Sequence, residues 1–151
     1  MNNISIRKAI LSDSEKIINF NKAMALETEN LVLKDNTISQ GVVSVLNNLE
    51  YGFYIVAESD GIIVGSLMIT YEWSDWRNGL IWWFQSVYIE MPFRRAGLFS
   101  AMYDFVKTMA EKESAVKGLR LYVEKNNVIA QMTYSKLGME ETYYKLYEAI
   151  F

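Results

Sequence analysis

The sequence predicts one α/β domain over residues 1–151, with helices packed over a mixed sheet in the order βααβββαβαβ. Three observations predict it: short runs of β-branched and aromatic residues, amphipathic helical segments between them, and a buried strand that runs directly into a turn and a helix. The 151 residues are 51% hydrophobic and 22% charged, with 8 Gly and 1 Pro. This composition is typical of one globular domain without linkers or low-complexity segments.

The first half of the chain predicts a strand, two helices and a hairpin. Residues 4–8 read as a strand, and residues 12–15 carry a capping-box pattern that opens a helix. A second helix is predicted to begin at Thr37. Residues 53–59 and 62–71 are strand-like and flank Asp60-Gly61, the strongest local signal for a hairpin turn. These elements place a β-hairpin immediately before the centre of the sheet.

The second half predicts strand and helix in alternation. Residues 80–89 are apolar and aromatic, as expected of a strand buried on both faces. After Pro92 the apolar positions of the next helix share one face, namely Leu98, Met102, Phe105, Val106 and Met109. Alternation over residues 119–123 predicts a strand, and Asn126 and Asn127 open a helix that closes at Gly138. Residues 139–147 read as a final aromatic strand.

Composition excludes several functional classes. The sequence contains no Cys and no His, so it has no disulfide, thiolate ligand, cysteine nucleophile or histidine base. No metal site is expected, because zinc held by carboxylates alone is unusual. A net charge of -3 argues against nucleic-acid binding, and no apolar run is long enough to span a membrane. A cytoplasmic protein with no membrane partner is expected.

The turn that follows the long apolar strand is a candidate anion site. A helix that starts here presents unpaired backbone N–H groups and the positive end of its dipole. Arg94 and Arg95 add positive charge, and Gly97 allows close approach to the backbone. The alternative is a surface turn with two solvated arginines. The sequence has neither a G-x-x-x-x-G-K-[ST] P-loop nor a G-x-G-x-x-G dinucleotide fingerprint.

Two segments resemble the GNAT superfamily of acyl-CoA-dependent N-acyltransferases. Residues 86–99, SVYIEMPFRRAGLF, are similar to the central strand of that family running into its R-x-x-G-x-G/A pyrophosphate loop. Residues 127–139, NVIAQMTYSKLGM, are similar to its N-x-x-A-x-x-x-Y-x-x-x-G-F pattern. The resemblance extends over nearly the whole chain in the same order of elements. It implies a GNAT-like fold and an acetyl-CoA-dependent N-acetyltransferase.

The resemblance also implies roles for individual residues. Backbone groups of one triplet are expected to pair with the pantetheine arm of acetyl-CoA like an added strand: Val87, Tyr88 and Ile89. The pyrophosphate is expected to bind the following turn: Arg94, Arg95, Ala96, Gly97, Leu98 and Phe99. Asn127 matches a contact to the cofactor arm, and Tyr134 matches the proton donor to the departing thiolate. The alternatives are a helix cap for Asn127 and an interior aromatic for Tyr134.

The sequence departs from the family pattern at two places. Phe99 stands where the loop of the family usually has Gly or Ala. The way in which this turn would bind a phosphate is therefore open. Gln85-Ser86 precedes the apolar triplet, where diamine acetyltransferases of the superfamily carry an acidic residue. This second departure weakens a polyamine assignment.

Without His or Cys, the base that deprotonates the amine must be a carboxylate or a water chain. The amine is then expected to attack directly in a ternary complex. Glu72 is the first candidate for substrate handling or for anchoring such a water, and Asp75 is the second. Glu27 and Glu29, between the two N-terminal helices, are further candidates. Trp83 and Gln85 are expected to face the acceptor, although core packing is the commoner role of a Trp.

Three functions remain open on the sequence alone. The first is acetyl transfer to a primary amine of a small molecule or peptide. The second is a non-catalytic acyl-CoA sensor, and the third is an interaction domain without a nucleotide ligand. A homodimer is a further possibility, because the predicted final strand, with Tyr143, Tyr144 and Tyr147, could pair across two copies; the alternative is that these aromatic residues cover the core.

Overall fold

The computed structural model describes residues 3–151, in which a five-stranded sheet is flanked by helices. In chain order the elements are β1 (Ile4–Lys8), α1 (Ser14–Glu29), α2 (Asp35–Asn47), β2 (Phe53–Ser59), β3 (Ile62–Ser74), β4 (Gly79–Ile89), α3 (Leu98–Lys112), β5 (Val116–Arg120) and α4 (Val128–Lys136). Short 3-10 turns precede α1 and follow β4. Within the described residues, no helix is long and apolar enough to cross a membrane.

The strands lie in the sheet in the order in which they occur in the chain. β1 to β4 form an antiparallel meander, and β5 joins β4 in parallel. The turn between β2 and β3 uses Asp60 and Gly61 with φ of 51° and 81°, the left-handed pair that a two-residue hairpin requires. A mixed sheet of this kind therefore has one crossover, which is made by α3.

Each face of the sheet packs against its own helices, because side chains alternate between the two faces of a strand. On one face, Ile55 and Leu67 pack with Met102 and Val106 of α3 in the larger core. On the other face, Tyr54 and Val56 pack with Ile17 of α1 and Val42 of α2. The period-2 pattern of β2 and the helical pattern of α3 thus specify a three-layer arrangement.

A charge cluster fixes the start of α1 against the sheet. The guanidinium of Arg7 donates to both oxygens of Asp13, at 2.8 and 3.1 Å, and to Glu58 on β2. Asp13 is buried and also accepts from the backbone N–H of Ile10 at 2.8 Å. These hydrogen bonds hold the pKa of Asp13 below its usual value. Two parallel hydrogen bonds from one guanidinium offset the cost of removing the Asp13 carboxylate from water better than a single hydrogen bond does.

The predicted elements before residue 112 are confirmed in type and place. β1 and β2 have the predicted bounds, and α1, α2 and α3 lie where the apolar periodicity puts them. The start of α1 differs, because Asp13 supplies the hydrogen bond to the preceding backbone and no Ser12 cap is observed. β3 extends three residues past its predicted end at residue 71. It reaches Ser74 because it continues to pair with β4 up to the pair Ser74 and Gly79.

Two predictions in the second half are wrong. The strand expected over 119–123 lies at Val116–Arg120, because its partner β4 diverges after the pair Trp83 and Arg120. Residues 139–147, expected to be a strand, form no strand, and Tyr143 and Tyr147 are exposed. A strand needs a hydrogen-bonded neighbour, and within the described chain this segment has none.

Tyr54 provides a test of the core that α1 and α2 form with the sheet. Desolvation raises the pKa of this buried side chain to about 12. Above about pH 10 the unfolded chain releases this proton while the folded chain retains it, so stability is complete below pH 10 and is lost towards pH 12. Tyr54→Phe should remove about 1.4 kcal/mol of the stability that the wild type loses between pH 8 and pH 11. Urea unfolding at about pH 8 and about pH 11 measures the difference between variant and wild type.

The matched control is Tyr51→Phe, because Tyr51 is exposed just before β2. This variant should keep the pH dependence of the wild type. An alkaline loss of the same size in Tyr54→Phe and the wild type would contradict the burial of the Tyr54 hydroxyl group.

Candidate active site

The centre of the site is a gap between β4 and β5. The two strands pair from Leu80 to Trp83 of β4, and no pair with β5 follows. Ser86 has a φ of 52°, and the register between β3 and β4 shifts at this point, as in a β-bulge. The bulge turns β4 away from β5. Residues 84–89 of β4 therefore have no strand partner on the β5 side.

The open edge leads into the turn before α3. Arg95 and Gly97 have φ of 62° and 80°, so two left-handed residues flank Ala96. Successive N–H groups in such a turn point to one side and form an anion-binding nest. α3 begins at Leu98 without a side-chain cap, so the first N–H groups of the helix, including that of Phe99, add to this nest. The turn therefore presents backbone donors at the positive end of a helix dipole.

Arg94 is bound to the protein and does not point freely at the turn. Its Nε donates to the carbonyl of Ile89 at 2.6 Å, and its NH2 donates to Glu27 at 2.9 Å. Its guanidinium lies 5.2 Å from the centre of the Tyr88 ring, and the Tyr88 hydroxyl donates to Glu27 at 3.3 Å. This cluster ties the end of α1 to the end of β4. The sequence did not indicate this connection.

Arg95 differs from Arg94 in its surroundings. It is exposed and forms no ion pair with any residue in the described part of the chain. The left-handed backbone of a non-glycine residue costs energy and is retained where the local structure requires it. Arg95 therefore offers the charge that is free to meet an anion at the turn, whereas Arg94 holds the turn in place.

Asn127 caps the start of α4, and Tyr134 lies within α4 and contacts Phe99 of α3. The Oδ1 of Asn127 accepts from the N–H of Ala130 at 3.2 Å, which is the helix-cap role. The cap uses the oxygen of the amide and leaves its NH2 group for a ligand. Tyr134 is half-buried, and desolvation raises the pKa of its hydroxyl group. Tyr134 therefore keeps its proton well above neutral pH.

Phe99 packs away from the turn. Its ring lies 5.5 Å from that of Tyr134 in a T-shaped pair, and 6.3 Å and 6.4 Å from those of Phe84 and Tyr103. The side chain thus fills the space between α3, β4 and α4, and its backbone N–H belongs to the uncapped first turn of α3. Phe99, which the sequence suggested as an obstacle, instead supports the ring of Tyr134.

The opposite face of the sheet carries the candidate acceptor cleft. Glu72 accepts from the indole N–H of Trp83 at 3.0 Å and from Arg120 of β5 at 2.6 Å. The amide of Gln85 donates to the hydroxyl group of Thr70. The ring of Tyr122 lies 6.1 Å from that of Trp83. Three strands thus bring acidic, aromatic and amide groups together beside the gap.

The sequence predicted Glu72, Trp83 and Gln85 at this face and missed three of their neighbours, Thr70, Arg120 and Tyr122. Arg120 and Tyr122 could have been found from the sequence, because they alternate with the apolar residues Leu119 and Leu121. The side chains that alternate with a strand's core residues must line its other face.

Other predicted residues lie elsewhere. Asp75 sits in the turn between β3 and β4, where its Oδ1 accepts from the N–H of Trp76. Glu29 is the exposed last residue of α1. Trp76 is exposed as well, whereas Trp82 belongs to the core. The structure therefore joins Glu72, Trp83 and Gln85 in one cluster and Glu27 and Arg94 in another, without Asp75.

The donor set fits a ligand that has an amide-containing arm and a diphosphate. The edge at Val87, Tyr88 and Ile89 matches the arm, because a peptide-like amide pairs with an open strand edge. At Gly97 a Cβ would meet no atom within 4 Å, so the space above the turn is open. Backbone donors and Arg95 lie beside this space, so the turn suits a diphosphate.

Comparisons with known proteins agree with this architecture. The family model "Acetyltransferase (GNAT) family" matches residues 21–139. The crystal structure of a possible acetyltransferase from Clostridium difficile 630 is 40% identical with a TM-score of 0.90, and the match covers 98% of this chain and 97% of that one. No curated protein matches the sequence.

Two more distant structures share the fold. A predicted acetyltransferase with acetyl-CoA from Clostridium acetobutylicum is 19% identical, with a TM-score of 0.79, and the match covers 97% of this chain and 96% of that one. The aminoglycoside N-acetyltransferase AAC(6')-Iy in complex with CoA is 14% identical, with a TM-score of 0.82 and coverage of 99% and 96%. The family match over most of the chain, with the 40% identical structure, shows that this chain belongs to the GNAT family of acetyltransferases.

Proposed function

We propose that this protein is an acetyl-CoA-dependent N-acetyltransferase whose acceptor is a primary amine of a small molecule or peptide. The observation that carries the proposal is the open β4 edge, which leads into the nest at Arg95 and Gly97, with the Tyr134 ring beside the start of α3 in contact with Phe99. A cytoplasmic location is proposed from the cysteine-free composition.

When bound, acetyl-CoA supplies the thioester that a neutral amine attacks. The groups of this chain that would hold it are the backbone of Val87 to Ile89, the nest at Arg95 and Gly97, and the amide NH2 of Asn127. The hydroxyl group of Tyr134 keeps its proton for the departing sulfur, because burial raises the pKa of the phenol. Transfer takes place in a ternary complex, since the chain has no Cys to carry an acetyl group.

Glu72 acts as a positioning group for the acceptor. Both of its oxygens already accept hydrogen bonds, from Trp83 and Arg120, so the carboxylate is held in one orientation. A carboxylate beside an aromatic ring is a favourable environment for a protonated amine. A water molecule anchored there then takes the proton from the amine, because His is absent from the chain.

An acceptor screen tests the proposal directly. Thiol release from acetyl-CoA should appear with at least one class among simple amines, amino acids, aminoglycosides, polyamines and peptide N-termini. The family members of known fold do not fix this class, because specificity depends on side chains around the cleft.

A non-catalytic acyl-CoA sensor is the alternative. It is favoured by the ion pairs that Glu72 and Glu27 form with Arg120 and Arg94, which leave neither carboxylate free as a base. Tight coenzyme A binding without thiol release over the whole panel would support the sensor and reject the enzyme.

Replacing Tyr134 by Phe should lower kcat by about 100-fold, the size of a general-acid effect, because the proton for the leaving thiolate is lost. Coenzyme A affinity should stay within about twofold, because the ring and its contact with Phe99 remain. Steady-state kinetics and calorimetry measure the two quantities. Tyr103→Phe, in the same aromatic cluster, is the control and should keep full turnover. Equal turnover in both variants would remove Tyr134 as the acid.

Lysine substitutions separate the two arginines of the turn. Arg94→Lys keeps the charge but cannot hold Ile89 and Glu27 at once, so coenzyme A should bind about 10-fold more weakly. The Arg95→Lys variant should bind coenzyme A nearly as tightly as the wild type, because only the positive charge of residue 95 takes part in binding. Arg95→Glu should weaken binding, most strongly at low salt. Calorimetric titration at two salt concentrations checks all three, and an Arg94→Lys affinity equal to that of the wild type would contradict the anchoring role.

Glu72→Gln tests the acceptor cleft. The variant keeps the shape of the side chain and loses its charge, so KM for the amine should rise about 10-fold while kcat stays within about twofold. Asp75→Asn, a carboxylate that bonds only to its own turn, should change neither constant. A fall in kcat at constant KM would instead give Glu72 a direct part in proton removal.

A further inference from the structure

The charges at the centre of the acceptor face form an ion pair between Glu72 and Arg120. One oxygen of Glu72 accepts from the indole N–H of Trp83 at 3.0 Å, and the other accepts from Nη1 of Arg120 at 2.6 Å. Each carboxylate oxygen therefore already has a donor, and Arg120 balances the negative charge. The next side chain on this face of β4 is the neutral Gln85, whose amide bonds to Thr70. The pair thus presents one negative and one positive group side by side.

Arg120 keeps most of its capacity to donate hydrogen bonds. A guanidinium carries N–H groups on each of its nitrogens. Within residues 3–151, the side chain of Arg120 makes one hydrogen bond, through Nη1 to Glu72. The side chain is 30% exposed, so a dissolved anion can reach the remaining donors. A carboxylate fits such a planar set of donors, because its two oxygens accept parallel hydrogen bonds.

The ion pair lies beside the gap at which acetyl transfer is proposed. Arg120 is the last residue of β5 and pairs with Trp83, and the gap begins directly after this pair. Successive side chains on one face of a strand are about 7 Å apart. Gln85, the first side chain of this face within the gap, is therefore one such step from Trp83. An amine at the gap has Arg120 within reach of a group that is only a few bonds away.

We propose that the acceptor is a free amino acid, whose ammonium group faces Glu72 and whose carboxylate faces Arg120. The inference rests on the proposed acetyl transfer. An amino acid carries its two charges next to each other, and the Glu72–Arg120 pair carries the complementary two in the same arrangement. A phosphate monoester with two negative charges would instead leave one of them unbalanced beside Glu72.

The transfer to such an acceptor balances without a further reactant. The amine nitrogen forms a bond to the acetyl carbon as the carbon–sulfur bond breaks. The ammonium group loses two protons: one goes to water, and the other replaces the proton that Tyr134 gives to the sulfur. The product keeps the carboxylate and has lost the positive charge that faced Glu72.

The same ion pair disfavours acceptors with several positive charges. A second ammonium group would meet Arg120, which repels it, and it would find both oxygens of Glu72 already bonded. Gln85 offers no compensating negative charge. Arg120 therefore selects for amino acids and against polyamines at one position, because specificity is a difference between the two binding free energies.

Matched acceptors test the inference on the wild type. Thiol release with glycine, L-methionine, L-phenylalanine and L-lysine is compared with release from the C-terminal amides of the same four. For at least one pair, kcat/KM should be about 30-fold higher for the acid, the size of a hydrogen bond between charged groups. The amide has the less basic amine, so intrinsic reactivity at neutral pH favours the amide and a preference for the acid has to come from the protein.

Putrescine, which has two amines and no carboxylate, should be a poorer acceptor than the preferred amino acid. Thiol release from the amides that equals or exceeds release from the acids in every pair would overturn the inference and leave the proposed acetyl transfer intact. Release confined to acceptors without a carboxylate would do the same.

Arg120→Gln tests whether Arg120 carries the selection. Glutamine still donates a hydrogen bond to Glu72 but leaves its negative charge unbalanced. For the preferred amino acid kcat/KM should fall about 30-fold, and for putrescine it should rise, an inversion that a damaged fold does not produce. Arg77→Gln is the matched control, because Arg77 is exposed and bonds to Ser74 in the turn after β3. An equal fall in both variants, or an equal fall for both acceptors in Arg120→Gln, would overturn the inference.

Calorimetric titration separates this inference from the proposed function. The same acids and amides are titrated into the wild type and Arg120→Gln, each saturated with coenzyme A. The wild type should bind the preferred acid about 30-fold more tightly than its amide, and Arg120→Gln should bind both alike. This preference without thiol release would keep the amino-acid site and reject the proposed function. Neither preference nor thiol release would overturn both.

Discussion

β4 and β5 pair only as far as Trp83 and Arg120, and the remaining features of the site depend on their separation beyond this pair. The left-handed Ser86 bends β4 away, so its edge is open although the strand lies inside the sheet order. An interior strand with a free edge is unusual, because unpaired backbone groups are costly when buried. A ligand with its own amides relieves that cost, and the adjoining helix start adds donors for its charged end.

Local signals were sufficient for the elements on either side of this gap. The Asp60-Gly61 turn, the apolar β4 run and the face of α3 each specify their structure within a short stretch of chain. The ion pairs of the site were not predictable in this way. Arg94 and Glu27 are 67 residues apart, and Arg120 and Glu72 are 48 apart, so only the folded sheet brings them together.

The segment 139–147 shows a different limit. Its aromatic, alternating side chains are those that favour a strand. A strand forms, however, only when its backbone also pairs with the open edge of another strand. In the structure β5 has an open outer edge, and residues 139–142 and 144 border the same groove as β5 without pairing with it. A sequence pattern of this kind therefore predicts a preference for pairing, and whether the partner is in the same chain depends on the path of the backbone after Gly138.

Phe99 packs between β4 at the gap and Tyr134, the proposed proton donor. In the loop position usual for Gly or Ala, its ring leaves the turn and packs between Phe84 and Tyr134. The same packing that orients the Tyr134 ring also removes water from it, and desolvation is the cause of its raised pKa. Orientation and retention of the proton therefore have one origin. A smaller side chain at position 99 would admit water, which would weaken both properties together while leaving the backbone donors of the nest in place.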